Sequence, residues 1–290
     1  MRFTKMHGAG NDFILLETSD VQRDWSQVAV SLCNRHYGIG ADGFLLLLPS
    51  QVADFRMRIF NPDGSEAAAC GNGLRCLVRY FAEKNQYNVG TRQKAREISV
   101  ETVAGIRIAR VFKTAGTVSK IQTAMGRPGI GNNNSPAVLQ SREDNIVDIK
   151  KSMDYILSVD SKKLQVYLVS VGNSHAVHFY NGNISDFPLS HLGPKVEKYR
   201  AFPNKVNFEV ARVIDRKKIE ARVWESGVGE TLACGSGACA ITVAAQLLGY
   251  VDSKVKVKLP GGILEVEWDG AGEIFLSGPA ETVFTGEWPD

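Results

Sequence analysis

Two cysteines of this chain stand in nearly the same surroundings. Asn61-Pro62-Asp63-Gly64-Ser65-Glu66-Ala67-Ala68-Ala69-Cys70-Gly71-Asn72-Gly73 lies over Glu225-Ser226-Gly227-Val228-Gly229-Glu230-Thr231-Leu232-Ala233-Cys234-Gly235-Ser236-Gly237. Each cysteine is followed by Gly-x-Gly and preceded, four residues earlier, by a glutamate, Glu66 or Glu230. Helical sequence follows each motif, so each thiol is expected at a helix N-terminus, where unpaired N–H groups and the positive end of the helix dipole favour a thiolate. Gly71, Gly73, Gly235 and Gly237 put no side chain in the way, and their N–H groups can cradle a carboxylate beside the sulfur. Two such thiols facing one substrate carry out general acid–base chemistry. One, as thiolate, takes a proton from a stereocentre, and the other, as thiol, returns one on the opposite side.

Other uses of these cysteines fit less well. A buried cysteine often serves only as a small apolar side chain, and that is the assignment for Cys33, Cys76 and Cys239, which lack the glycine collar. Zinc is not expected: on a helix Cys76 lies about 240° round from Cys70 and Cys239 about 140° round from Cys234, and no Cys-x-x-Cys occurs. The nucleophile elbow of serine hydrolases is absent. Gly38-Ile39-Gly40-Ala41-Asp42-Gly43 fits the dinucleotide fingerprint in spelling only. It follows a helical stretch and leads into Phe44-Leu45-Leu46-Leu47-Leu48, the reverse of the required order. No metal and no dinucleotide are therefore expected. Among the five histidines, His175 is notable for standing two residues past Asn173.

The elements that must hold these residues also repeat. Gly10-Asn11-Asp12-Phe13 matches Gly172-Asn173-Ser174-His175, and the Asn-to-Cys spacing is 59 residues (70 − 11) in one copy and 61 (234 − 173) in the other. Val100-Glu101-Thr102-Val103-Ala104-Gly105-Ile106 matches Val257-Lys258-Leu259-Pro260-Gly261-Gly262-Ile263. Two copies make a duplicated domain rather than a solenoid. Apolar–polar alternation at 55–59 and 254–258 predicts half-buried strands. Further strands are expected at 13–17, 44–48, 98–102, 106–112, 165–171, 176–180, 207–214, 217–225, 263–268 and 273–277, with a hairpin tip at Asp215-Arg216-Lys217. Helices are predicted at 73–86 and at 237–248, the second apolar nearly all round and so buried within a wrapping sheet. An amphipathic helix at 25–34 is expected to cover a sheet edge. The fold class is α+β: two pseudo-symmetric domains, each a mostly antiparallel sheet or barrel around a central helix, with the active site in the cleft between them. The domains are placed at 1–122 with 278–290, and at 123–277. The boundary lies near Met125-Gly126-Arg127-Pro128, and Gly131-Asn132-Asn133-Asn134-Ser135-Pro136 reads as loop.

Composition narrows the function classes. The 290 residues are 44% hydrophobic and 22% charged, which excludes wholesale disorder. Lys and Arg number 34 against 31 Asp and Glu, a net +3 that gives no reason to expect nucleic acid or a membrane surface as partner. The clusters at 216–218 and 254–258 read as a loop tip and the solvated face of a strand. No run of 18 apolar residues occurs. Met1-Arg2-Phe3-Thr4-Lys5-Met6-His7 lacks the apolar core of a secretion signal, and five thinly spread cysteines form no disulfide framework. A cytoplasmic protein is expected.

The stretch from Asn61 through Cys70 to Arg75 resembles the signature of the diaminopimelate epimerase family at every defined position. His7-Gly8-Ala9-Gly10-Asn11-Asp12-Phe13, Gly38-Ile39-Gly40-Ala41-Asp42, Gly172-Asn173-Ser174-His175 and Gly229-Glu230-Thr231, followed two residues on by Cys234-Gly235-Ser236-Gly237-Ala238, are similar to other family landmarks. The resemblance implies a cofactor-free isomerase that interconverts LL- and meso-diaminopimelate in the route to lysine and cell-wall peptide, commonly as a homodimer. By position it makes Cys70 and Cys234 the acid–base pair, with His175 and Glu225 adjusting the thiols. Asn11, Asn61, Gly71, Asn72, Asn173, Asn207, Glu225, Ser226, Gly235 and Ser236 fall at substrate contacts. Asparagines suit that task, since they orient charged groups without adding a charge, although each is also a favoured turn residue.

Two positions depart from the family. Ser226 stands where the family usually has an arginine that grips the distal carboxylate of the substrate with a planar fork, and Gly43 stands where many members have glutamine. An alternative is therefore a racemase of another amino acid, such as histidine, on the same two-thiol site. A non-catalytic binding protein is a further alternative, but binding alone needs no paired thiols. Phenazine-pathway isomerases of similar fold lack the paired cysteines.

Overall fold

Alternating apolar residues become strands nearly everywhere the pattern occurs, and the runs too apolar to alternate become strands covered on both faces. A computed structural model describes residues 1–67, 70–85, 95–114, 117–130 and 153–289; the loop expected at 131–136, and Gln86 at the end of a predicted helix, lie outside them. The chain divides into two compact units, Met1–Ala124 with Ser277–Asp290, and Met125–Leu276.

The first unit runs β1 (Arg2–Gly8), β2 (Asn11–Glu17), α1 (Trp25–Cys33), β3 (Gly43–Leu48), β4 (Phe55–Phe60), α2 (Gly71–Lys84), β5 (Arg96–Thr102), β6 (Gly105–Thr114) and β7 (Thr117–Ala124). Neighbours pair antiparallel, except that β2 pairs parallel with β3 and β4 with β5. These two steps are the ones bridged by α1 and α2, since a tight turn cannot deliver a parallel neighbour.

The second unit runs β8 (Gly129–Ile130), β9 (Asp154–Val159), β10 (Lys162–Ser170), β11 (Ser174–Phe179), α3 (Leu189–Glu197), β12 (Asn207–Asp215), β13 (Lys218–Glu225), β14 (Gly229–Thr231), α4 (Gly235–Leu247), β15 (Lys254–Leu259) and β16 (Gly262–Glu267). Its pairing order repeats the first: β10–β11 antiparallel, β11–β12 parallel across α3, β12–β13 antiparallel, β13–β15 parallel across α4, and β15–β16 antiparallel. β17 (Phe275–Gly278) and β18 (Glu281–Glu287) follow. β18 lies antiparallel on the outer side of β1, pairing Arg2 with Glu287, and Phe284 packs edge-on against Phe3 at 5.9 Å.

The core explains why the central helices sit where they do. Phe13, Leu15, Leu45 and Leu47 project towards α2, where they meet Leu74, Leu77 and Val78 together with Met57, Ile59, Val100 and Val111. The alternate residues Ile14, Leu16, Phe44, Leu46 and Leu48 project the other way, onto Trp25, Ala29 and Leu32 of α1. The helix expected on a sheet edge therefore covers a sheet face, and β3 is buried along its whole length because it is roofed twice. α4 is buried from Gly237 to Ala245, as its all-round apolarity requires. Helix α3 escapes the sequence pattern because Gly193 and Pro194 interrupt it. The glycine is required there: a Cβ on Gly193 would stand 2.4 Å from the Trp224 ring.

Candidate active site

Both cysteines are N-caps. Cys70 (φ −149°, ψ 115°) and Cys234 (φ −116°, ψ 116°) are extended, and α2 and α4 begin at the next residue, two positions earlier than predicted. Each sulfur accepts the N–H of the third helical residue, Gly73 or Gly237, at 3.4 Å. The Gly-x-Gly segments therefore form first turns rather than leading into them. At Gly73 a Cβ would stand 2.9 Å from Leu45 Cδ2, and at Gly237 one would stand 3.0 Å from Glu209 Oε1 and 3.4 Å from Cys234 Sγ. At both positions a Cβ would have to displace a packed side chain.

The matched glutamates are structural clamps. Arg58 on β4 grips Glu66 through two bonds of 2.8 Å, and Arg222 on β13 grips Glu230 through bonds of 2.7 and 2.9 Å. Each bidentate pair ties the segment before a cysteine to the strand beside it. The arginine stands eight residues before its glutamate in both copies, a signal present in the sequence and unused in reading it.

Around Cys70 the polar groups are linked. The Cys70 sulfur lies 4.0 Å from Asn11 Oδ1, which also accepts from Asn72 Nδ2 at 3.3 Å. Asn11 Nδ2 donates to Asp42 at 3.0 Å, so its carboxamide is held from both ends. Arg35 joins Asp42 to Asp12 through bonds of 2.7 Å to each, and the buried Lys5 ammonium pairs with Asp12 at 2.5 Å. Burial alone would raise the Asp12 carboxyl; hydrogen bonds from Arg35 and Lys5 outweigh it and bring the pKa down to about 2. Arg75, wholly buried, donates to Gly71 O at 3.2 Å and Asn72 Oδ1 at 2.5 Å. Asn61 is a turn residue: its carbonyl accepts from Gly64 N at 2.9 Å and its side chain donates to Ser65 Oγ at 2.8 Å. Gly43 opens β3 opposite Phe13, whose ring would lie 3.2 Å from an added Cβ.

Around Cys234 the neighbours are different. His175 Nδ1 lies 2.7 Å from Glu209 Oε1 with both side chains fully buried, and His175 Nε2 lies 2.8 Å from Asn173 Oδ1. Asn207 Nδ2 donates to Ser174 O at 3.0 Å, and Asn207 Oδ1 accepts the Ser226 N–H at 2.9 Å. Glu225 accepts from Thr231 Oγ1 at 2.5 Å, and Ser236 Oγ is 3.5 Å from the Cys234 sulfur. The thiol does not follow the expectation of a lowered pKa. Burial first, then Glu225 and Glu209, push Cys234 well above the usual thiol range, against the smaller pull of Ser236 and the Gly237 N–H. A desolvated anion next to carboxylates loses more than a helix end returns.

The structure thus gathers Cys70, Asn11, Gly71 and Asn72 at one helix start, and Cys234, Gly235 and Ser236 at the other, with the linked groups His175, Asn173, Asn207, Ser226 and Glu225 in the same unit. Burial pushes Cys33 and Cys76 up to about 12, as befits structural thiols, and Cys239 is buried on α4. Among the described residues no cluster of three His, Cys, Asp or Glu side chains could hold a metal ion, and no helix is long and apolar enough to cross a membrane.

Known proteins share this chain's sequence along its whole length. The pattern of the diaminopimelate epimerase family matches residues 3–130 and 167–283. Proteins named diaminopimelate epimerase from Heliobacterium modesticaldum and Acetivibrio thermocellus are 43% and 42% identical, over 100% and 99% of this chain and 100% and 98% of theirs. In fold the chain is similar to a probable proline racemase from Agrobacterium radiobacter (TM-score 0.70, 15% identity, 99% of this chain and 92% of the other). It is equally similar to a phenazine biosynthesis protein of the PhzF family from Bacillus anthracis (TM-score 0.70, 18% identity, 100% and 99%). Two N-capping thiols on a duplicated scaffold, with sequence kinship from end to end, place the chain in the diaminopimelate epimerase family of isomerases.

Proposed function

We propose that the chain inverts the α-carbon of an amino acid without a cofactor, converting LL- to meso-diaminopimelate, with Cys70 and Cys234 acting on that carbon from opposite sides. The observation that carries this is the duplicated helix start, in which each sulfur caps its own helix by accepting the N–H of the third helical residue. One sulfur takes the Cα proton as the other delivers a proton to the far face, so atoms and charge balance with no redox step. First-turn N–H groups of α2 and α4 hold the α-carboxylate and stabilise the charge that develops as the proton leaves. Asn11, Asn72, Asn173 and Asn207, each already fixed by a hydrogen bond, orient the ammonium and carboxylate groups. Asn61, Glu225, Ser226, Gly235 and Ser236 complete the contacts, and His175 and Glu225 tune the thiols.

In deuterated water, inversion is expected to carry solvent deuterium onto Cα, and Cys70→Ala or Cys234→Ala each to abolish it. Normal turnover by either variant would end the two-thiol reading. Ser226 favours a second substrate, an amino acid without a distal carboxylate. A racemisation screen over LL-diaminopimelate, histidine, lysine and glutamate decides between them by relative kcat/KM. We also assign the enzyme to the cytoplasm and to a homodimer; Phe284, 47% exposed on the outer strand β18, supports the second, and light scattering in solution tests it.

A further inference from the structure

The two half-sites share a backbone but not a charge. β2 and β3 pair Phe13 with Gly43 and Leu15 with Leu45; β11 and β12 pair His175 with Asn207 and Val177 with Glu209. Leu45 and Glu209 are therefore one position in two copies. Both lie against the third residue of the following helix, Leu45 Cδ2 at 2.9 Å from a Gly73 Cβ and Glu209 Oε1 at 3.0 Å from a Gly237 Cβ. Five residues past each cysteine the copies differ again. Arg75 puts a wholly buried guanidinium on Gly71 O and Asn72 Oδ1 in the first turn of α2, where α4 has Cys239. One helix start is built over a leucine and a cation, the other over a carboxyl group.

We propose that the resting enzyme keeps its transferable proton on Cys234 and presents Cys70 as the thiolate, because Arg75 lies at the start of α2 while Glu209 and Glu225 lie about the start of α4. Both carboxylates that face Cys234 act in the same direction. From β12, Glu209 Oε1 shares the space beside Gly237 with the sulfur, and its Oε2 is buried without a hydrogen-bond partner among the described residues. From β13, Glu225, which accepts from Thr231, acts on the thiol in the same direction. From β11, His175 bridges Glu209 Oε1 through Nδ1 at 2.7 Å and Asn173 Oδ1 through Nε2 at 2.8 Å. Burial and the two glutamates push the Cys234 thiol up, in the same direction.

The step balances as follows. The Cys70 thiolate takes the Cα proton and becomes a thiol, while Cys234–SH gives its proton to the opposite face and becomes a thiolate. Product leaves an enzyme of reversed protonation, which returns to rest by exchanging protons with solvent. The resting form is thus loaded for the stereoisomer whose Cα–H faces Cys70.

This inference rests on the two-thiol reading and is tested separately from it. The pH dependence of iodoacetamide alkylation is measured on the free enzyme, with each cysteine read by peptide mass spectrometry. Access scales a rate but not the pH of its midpoint, so the midpoint is the readout. The Cys70 midpoint is expected at least about one pH unit below that of Cys234. Glu209→Gln is expected to lower the Cys234 midpoint alone, and Arg75→Gln to raise that of Cys70. Equal or inverted midpoints in the unmodified enzyme overturn the proposal, and midpoints that neither variant moves overturn the assignment to Glu209 and Arg75. Retained turnover in Cys70→Ala or Cys234→Ala would instead remove the two-thiol reading beneath it.

Discussion

Ser226 is held by its backbone rather than its side chain. Its N–H donates to Asn207 at 2.9 Å, and Gly227, at φ 80°, donates to the buried Glu197 at 3.1 Å. An arginine can therefore be restored there without rebuilding the turn. A charge-assisted fork on a carboxylate is worth about 1.5–3 kcal/mol. Ser226→Arg is expected to lower KM for diaminopimelate by about tenfold or more and to leave that for histidine unchanged. An unmoved KM would show that the distal carboxylate is already gripped by another group. Asp12 carries a different kind of prediction. Its pKa of about 2 lies below the ordinary 3.8, so its ion pairs stabilise the fold fully above the ordinary value and lose that contribution as pH falls through the lower one. The difference is worth about 2 kcal/mol. Acid unfolding followed by circular dichroism should steepen between about pH 4 and pH 2, and Asp12→Asn should flatten that limb.

At the scale of elements, the segments leading into the two cysteines depend on clamps from neighbouring strands. Removing one clamp, by Arg58→Ala or Arg222→Ala, is expected to cost about 1 kcal/mol in denaturant titrations, because both side chains are partly exposed. Its larger effect should be on kcat, through a displaced helix cap. Gly73→Ala sets a methyl group 2.9 Å from Leu45 Cδ2 and is expected to destabilise by about 1–3 kcal/mol. What could be read in advance follows the same division. The helix-start positions of Cys70 and Cys234 are legible because their motifs are local, each complete within a few residues. Arg58, Arg222 and Glu209 are not, because their partners lie on the next strand or across a crossover: Glu209 reads as an ordinary strand residue until the register sets it beside His175. The helix-dipole argument for Cys234 fails for a related reason. It counts the nearest N–H groups and omits the burial and the two carboxylates brought in from other strands.

For the whole molecule, the duplication is legible in the repeated motifs, and the matching order of parallel and antiparallel pairs in both units supplies its structural form. If Cys70 and Cys234 serve one carbon, a mild oxidant should join them and stop turnover, and a thiol reductant should restore it; activity in an enzyme shown by mass spectrometry to carry that crosslink would contradict the arrangement. The placement of β18 has another consequence. This strand belongs on β1, yet it is encoded after the entire second unit. During synthesis the ribosome must finish residues 125–276 before the early part of the chain receives its last strand, so β1 emerges with one edge bare. A circular permutant that opens with β18, joined directly to β1, would abolish that delay and should aggregate less during translation.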